Sequence, residues 1–309
     1  MRCFITGISG FVGAGLASRL LAEGAEVHGL VRPVSNLWRL KGMEDALRLH
    51  SGDLLDSASV QAALLSAKPD VLFHLGVYGA YPAQKDKSLI LRTSFLSTVG
   101  LLDAAKEAKV GLVINTGSSS EYGTKNKPMR EDDVLEPNSY YAVGKAAQTL
   151  YCRQFARDEK LPVITLRLFS VYGPYEERGR FMPTLISKAL RNEDVPVSNP
   201  LNARDFIYLD DVSEAYVAVM KKPELSGEIL NIGSGIQHTL RDAIDIVLKE
   251  TGSTSRPLFG AEGGRGFDTS RWVANMEKTR AILNLTPARS LKEGLGDMIV
   301  WMRDNIHEY

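Results

Sequence analysis

Cysteine is nearly absent from this 309-residue chain, which has only Cys3 and Cys152. Two thiols cannot build a disulfide framework or a four-cysteine zinc site, so a reducing, cytoplasmic setting is expected. An excess of charge is missing too: 37 Lys and Arg balance 37 Asp and Glu. No nucleic acid or membrane surface is therefore expected as a partner, since both select for a basic excess. The five histidines (His28, His50, His74, His238 and His307) are scattered without ligand spacing, so no metal is expected. No apolar run approaches the roughly 18 residues of a membrane helix. The opening MRCFITGISG meets glycine too early for a secretory signal.

The chain does contain a regular alternation of two periods. Short apolar runs at 3–6, 26–31, 47–50, 71–75, 112–116 and 163–168 read as strands. Helix-length amphipathic segments lie between them at 11–23, 57–66, 88–108 and 140–159. This rhythm predicts a parallel sheet with helices on both faces, because right-handed crossovers put them there. After Leu168 the pattern loosens around Gly173-Pro174, Gly179, Pro183, Pro196 and Pro200. Strands at 205–208 and 229–232 and helices at 210–220, 240–250, 277–283 and 291–305 follow. The expected division is 1–170 with 208–235 as one domain, and 171–207 with 236–309 as a smaller lobe.

The first chemical signal is Thr6-Gly7-Ile8-Ser9-Gly10-Phe11-Val12-Gly13, between the first strand and the first helix. Glycines at 7, 10 and 13 permit a tight turn, a close backbone approach to a pyrophosphate, and close packing of helix on sheet. The helix start supplies N–H donors and a positive dipole end. Gly7, Gly10, Phe11, Val12 and Gly13 are therefore candidate dinucleotide contacts. An NAD-preferring site usually places an acid after the second strand, where it binds the ribose 2′-hydroxyl. This chain has Arg32 there instead, which suits a 2′-phosphate, so NADP(H) is favoured, with NAD(H) as the alternative. Asp53 and Leu54, after the third strand, are candidate adenine contacts, although Asp53 could equally cap the next helix.

The second signal is Tyr141-Ala-Val-Gly-Lys145 at the start of a helix. A spacing of four puts both side chains on one face. A free tyrosine titrates near 10, and a neighbouring ammonium lowers that value toward the working range of an acid–base catalyst. The spacing alone is weak, since Tyr81 and Lys85 share it in a predicted loop; position in the fold gives it meaning. Upstream, Gly117-Ser118-Ser119-Ser120-Glu121-Tyr122-Gly123 ends the fifth strand, at the carboxyl edge where ligands bind in such sheets.

At this point the sequence resembles the extended short-chain dehydrogenase/reductase family, in its nucleotide-sugar epimerase, dehydratase and 4-ketoreductase branch. The resemblance covers nearly the whole chain through TGISGFVG, GDLLD, FHL, GSSSEYG, YAVGK, LRLFSVYGP, RDFIYLDDV and LNIGSG. It implies an α/β fold: a Rossmann-type doubly wound parallel sheet with a smaller C-terminal α/β substrate lobe. It selects Ser118 as the catalytic hydroxyl, Tyr141 as the acid–base and Lys145 as its tuner, with Lys145 also on the nicotinamide ribose. It implies Leu75, Gly76, Phe169 and Ser170 beside the cofactor, and Ser119 and Ser120 as sugar contacts. Arg204, Arg265 and Asp268 become candidates for the diphosphate and ribose of a nucleoside-diphosphate sugar, with Arg178 and Arg180 weaker ones.

Three departures stand out. Ser119 and Ser120 occupy the positions where 4,6-dehydratases carry Asp-Glu, which disfavours dehydration. Ser94 and Ser170 stand where many members have Asn. The leading expectation is an NADP(H)-dependent reductase of a nucleoside-diphosphate 4-keto-6-deoxyhexose. The alternative is an NAD-dependent nucleotide-sugar 4-epimerase, and the third reading is a non-catalytic cofactor-sensing regulator. The resemblance also implies a homodimer built on the helices at 88–108 and 140–159.

Overall fold

The computed structural model describes residues 1–81, 83–261 and 269–309. The candidate contacts Arg265 and Asp268 lie outside the described residues. The first half runs β1 (Arg2–Thr6), α1 (Phe11–Ala22), β2 (Glu26–Val31), β3 (Leu47–Ser51), α2 (Ser57–Ala67) and β4 (Val71–His74). It continues with α3 (Lys87–Leu91), α4 (Ser97–Glu107), β5 (Leu112–Ser118), α5 (Tyr140–Asp158) and β6 (Val163–Leu168). With the strand Ile229–Ile232 these form one seven-stranded sheet, ordered Ile229–Ile232, β6, β5, β4, β1, β2, β3.

Neighbouring strands from β3 through to β6 pair in parallel. The chain winds outward from β1 through β2 and β3, then returns to the other side of β1 with β4. The reversal between β1 and β4 is a topological switch point, where doubly wound sheets open a ligand crevice at the strand carboxyl ends. Parallel strands covered on both faces read as unbroken apolar runs. Accordingly β4 and β6 are buried at every position. Leu64, Leu101, Leu102, Val113, Cys152 and Phe155 bring α2, α4 and α5 onto one face of the sheet in a single core cluster.

The expected helix at 88–108 differs in detail. Lys87–Glu107 is continuous, but Arg92–Leu96 winds as a π turn between α3 and α4. Hydroxyls explain the change: Ser97 Oγ donates to Thr93 O at 2.6 Å, and Thr98 Oγ1 donates to Ser94 O at 2.9 Å. Such back-bonding competes with the regular helical ladder. This run is long and apolar enough to cross a membrane by length and composition alone. Its apolar residues Leu101 and Leu102 are buried in the sheet-face core, which accounts for that composition.

The described residues divide into two compact units. One comprises Met1–Gly123, Glu131–Leu168 and Ser213–Asn231; the other comprises Thr124–Arg130, Phe169–Val212 and Ile232–Tyr309. In the second unit Ser170–Tyr172, expected to be irregular, is a strand paired in parallel with Phe206–Tyr208. Ala203–Arg204 pairs antiparallel with His238–Thr239, and Val195–Val197 pairs in parallel with Pro257–Phe259. Helices Phe181–Leu190, Leu240–Thr251 and Leu291–Asp304 close over a core that includes Leu185, Ile186, Ile244, Val247, Leu295 and Met298. Capping boxes at Thr239 and Ser290 start two of these helices, each satisfying a free helix N–H.

Candidate active site

The glycine turn follows β1 directly. Gly7 has φ +74°, and a Cβ there would lie 2.8 Å from Gly76 N, so only glycine fits between the turn and the end of β4. A Cβ on Gly13 would collide with Gly7 O, so α1 can start this close to the turn only with glycine at that position. Gly10 caps α1 without a side chain, and the first turn of α1 carries no acid. The helix start therefore presents backbone donors and a positive dipole end with no capping side chain in the way, which fits a dinucleotide pyrophosphate.

The cofactor candidates around the turn fall as follows. Leu75 N–H donates to Thr6 O at 3.1 Å, and Leu54 packs onto Gly76. Asp56, not Asp53, caps α2, accepting from Ala58 N at 3.1 Å and Ser59 N at 3.4 Å. Asp53 instead folds its carboxylate onto Leu55 N–H at 2.9 Å. Arg32 is exposed, in a turn where its N–H donates to Ser35 Oγ at 3.1 Å. Arg39, which sequence reading passed over, is buried beside the glycine turn, with Nη1 3.5 Å from Ser9 O and its guanidinium 4.7 Å from the Trp38 ring.

The catalytic candidates stand where β5 ends and α5 begins. Ser139 caps α5 through Ala142 N at 3.1 Å, setting Tyr141 in the first turn and Lys145 one turn later. Lys145 Nζ donates to Thr116 O and to Gln148 Oε1, both at 2.9 Å. The ammonium is thus tied to β5 two residues before Ser118. Burial lowers its pKa from 10.5 to about 8, against the opposing charges of Glu121 and Cys152.

Ser118 begins a short helical turn, and its Oγ accepts from Ser120 N at 3.2 Å. Ser119 is buried and Ser120 half-buried. Glu121, also fully buried, closes the capping box: its Oε1 accepts from Ser118 N at 2.7 Å and from Thr149 Oγ1 of α5 at 3.0 Å. Its Oε2 accepts from Arg167 Nε at 2.7 Å. Arg167 also donates to Tyr122 OH at 2.9 Å and lies 4.6 Å from that ring. Burial pushes the Glu121 carboxyl up, and Arg167 pulls the other way. One carboxylate therefore braces the Ser118 turn against the helix that carries Tyr141 and Lys145. Sequence reading missed Glu121 and Arg167, because nothing local marks them as partners. Ser94, in the usual Asn position, has a buried hydroxyl without a hydrogen-bond partner, while its carbonyl holds Thr98.

In the second unit, Phe169 is buried, with its N–H donating to Ile232 O at 2.9 Å. Arg204 Nη1 donates to Ala203 O at 2.7 Å, and its guanidinium lies 5.7 Å from the Trp272 ring. Asp205 Oδ1 accepts from Ser234 N at 2.6 Å and Ser234 Oγ at 2.7 Å. Its Oδ2 accepts from Gly235 N and Ala274 N, both at 3.0 Å. This explains the first glycine of LNIGSG: a Cβ on Gly233 would meet Asp205 Oδ2 at 2.7 Å. Arg178 and Arg180 sit in ion pairs with Glu308 and Glu176. Among the described residues no His, Cys, Asp and Glu cluster could hold a metal.

The model of the NAD-dependent epimerase/dehydratase family matches residues 3–233. The chain belongs to that family. It is 30% identical to a UDP-glucose 4-epimerase of Mycolicibacterium smegmatis, over 98% of this chain and 99% of the relative. It is 28% identical to a dTDP-glucose 4,6-dehydratase of Streptomyces antibioticus, over 99% and 93%. The solved UDP-glucuronic acid 4-epimerase of Bacillus cereus, in complex with UDP-glucuronic acid and NAD, superposes with a TM-score of 0.89 at 25% identity, covering 99% of this chain and all of that one. The expected doubly wound α/β fold and the nucleotide-sugar branch of the extended short-chain dehydrogenases are both borne out. This family member is an enzyme of the nucleotide-sugar epimerase and dehydratase type.

Proposed function

We propose that this chain is an NAD-dependent 4-epimerase of a UDP-hexose. The observation that carries the reading is where the Ser118 turn spends its acid. Glu121 is the turn's one carboxylate, and it is buried against Arg167, Ser118 N–H and Thr149. Ser119 and Ser120 cannot move protons at C5 and C6 as a carboxylate pair would. After oxidation at C4, the step left to these residues is reduction of the same carbon. In this scheme Tyr141 removes the C4 hydroxyl proton and later returns it. Ser118 steadies the C4 oxygen, and Lys145 holds the phenolate as an anion. The bound dinucleotide supplies the hydride acceptor.

The NADP(H)-dependent 4-ketoreductase is the second reading, and one observation favours it. Arg32 is free at the surface after β2, with Ser35 beside it and no acid at that strand end. Both readings use Ser118, Tyr141 and Lys145 alike and differ in whether the cofactor turns over. The test is to denature the purified protein, identify any released dinucleotide, and assay UDP-glucose and UDP-glucuronic acid without added cofactor. Formation of the C4 epimer with no net change in nicotinamide absorbance is expected. NADPH consumption with a nucleoside-diphosphate 4-keto sugar, and no epimer, would replace the epimerase reading with the reductase.

A homodimer belongs to the same proposal. Tyr140, Val143 and Leu150 leave one apolar face of α5 exposed, and Leu96 is exposed on the neighbouring helical run. Light scattering should report twice the chain mass of 33.9 kDa. A monomer at assay concentration would reject this part.

A further inference from the structure

Resting on that reading of Tyr141 and Lys145, we propose that Gln148 is a positioning residue, which with Thr98, His74 and Thr6 behind it fixes the aim of the Lys145 ammonium. An ammonium has three N–H donors. Thr116 O and Gln148 Oε1 hold two of them at 2.9 Å, so only the third is left to act on the site. The Gln148 amide cannot turn over freely, because its Nε2 donates to Thr98 Oγ1 at 3.0 Å. Thr98 in turn commits its own proton to Ser94 O at 2.9 Å, a bond that belongs to the π turn. Thr98 Oγ1 must therefore accept from both Gln148 and His74 Nε2, which lies 2.9 Å away.

That assignment settles the histidine. Its proton sits on Nε2, and Nδ1 accepts from the Thr6 hydroxyl at 2.8 Å. Thr6 Oγ1 then accepts from Gly76 N–H at 3.2 Å. The bonds converge on Thr98: one run leads to it from Gly76 N–H through Thr6 and His74, the other from Lys145 through Gln148. Thr6, His74, Thr98, Gln148 and Lys145 are all buried, so reversing any member would face donor to donor, or acceptor to acceptor, away from water. His74 stays neutral because burial, with Lys145 nearby, lowers its pKa to about 3. Glu121 and Cys152 also act on Lys145, and both favour its charged form.

A glutamine that merely satisfied its buried neighbours would contribute stability and leave the chemistry of Tyr141 untouched. The experiment therefore reads Tyr141 itself. The near-ultraviolet phenolate signal of the full chain is titrated with pH, and the same titration of Tyr141→Phe is subtracted; no sugar is needed. In Gln148→Leu, Lys145 loses a fixed acceptor and its charged form is held less well. The Tyr141 midpoint should then rise by about one pH unit. Thr98→Val, which nearly keeps the side-chain shape, should move it the same way by less. Native midpoints in both Gln148→Leu and Thr98→Val would overturn the proposal. If Gln148→Leu does not fold, the Thr98→Val midpoint decides alone. If native protein and Tyr141→Phe titrate identically, the reading of Tyr141 falls and takes this proposal with it.

Discussion

Replacing Lys145 by methionine should change how stability depends on pH, in a window set by the buried ammonium. Lys145 is 2% exposed, and its pKa falls from 10.5 to about 8 on burial. In the unfolded chain the same amine keeps its ordinary value near 10.4. Between about pH 8 and 10.5 the unfolded chain thus holds a proton that the folded chain has released. Stability rises with pH wherever the unfolded state binds more protons, so native protein should gain stability across this window. The full depression corresponds to about 3 kcal/mol. Below about pH 8 both states are protonated and the gradient vanishes. Lys145→Met lacks this contribution; both proteins carry Tyr141→Phe, so that the phenol Lys145 is proposed to tune does not titrate in the comparison. The assay is urea unfolding of the two cofactor-free proteins at half-unit intervals of pH, followed by circular dichroism. The difference in stability, with Lys145 minus with Lys145→Met, should climb by about 3 kcal/mol from pH 8 to 10.5. Parallel profiles would refute the argument that burial holds this ammonium under strain. With Tyr141 in place, Lys145→Met should also lose turnover, since a methionine cannot hold a phenolate.

Tyr141→Phe should lower turnover by about 10²–10⁴-fold, the usual contribution of a placed acid–base group, with sugar-nucleotide affinity nearly unchanged by calorimetry. Glu121→Gln leaves the Arg167 guanidinium buried beside an amide; it should cost about 3–5 kcal/mol in thermal denaturation, and Arg167→Met added to Glu121→Gln, which keeps an acceptor for Ser118 N–H and Thr149, should recover part of that loss. A double variant no more stable than Glu121→Gln would show that the unpaired guanidinium is not the source of the cost. Gly13→Ala drives a Cβ into Gly7 O and should abolish dinucleotide binding in a thermal-shift assay. Its control is Gly296→Ala, in helix Leu291–Asp304 with nothing within 4 Å of the new Cβ, which should stabilise by roughly 0.5–1 kcal/mol.

The fold was readable because each of its signals is local. Buried parallel strands write themselves as short apolar runs, and helices as longer amphipathic ones, so β1 to β6 appear within a residue or two of their sequence positions. The π turn was not readable. It depends on hydroxyls at Ser97 and Thr98 taking carbonyls four residues back, and on Gly144 of α5 leaving room for Ser94. The three-residue strand Ser170–Tyr172 was missed for a related reason: its partner, Phe206–Tyr208, lies over thirty residues away, and three residues carry no period of their own.

The candidate site divides along the same line. Glycine spacing and the Tyr141–Lys145 interval are local marks and stood out at once. The groups that hold Lys145 and Ser118 in place are joined by long chain separations: 50 residues for Gln148 and Thr98, 68 for Thr6 and His74, 46 for Glu121 and Arg167. No periodicity links such residues, and each looks ordinary alone: a glutamine on a helix, a threonine on another, a histidine in a strand. Their meaning comes from burial, which removes water as an alternative partner and forces every donor to find an acceptor. A buried polar string must also be complete, since one mismatched member costs more than an apolar replacement would. Gln148 is the member where this constraint meets the chemistry, because its amide oxygen faces the lysine while its amide nitrogen is spoken for by Thr98. Lys145, proposed as the partner of Tyr141, is thus held by a row of unreactive residues, and that dependence is written in the folded contacts rather than in the order of residues along the chain.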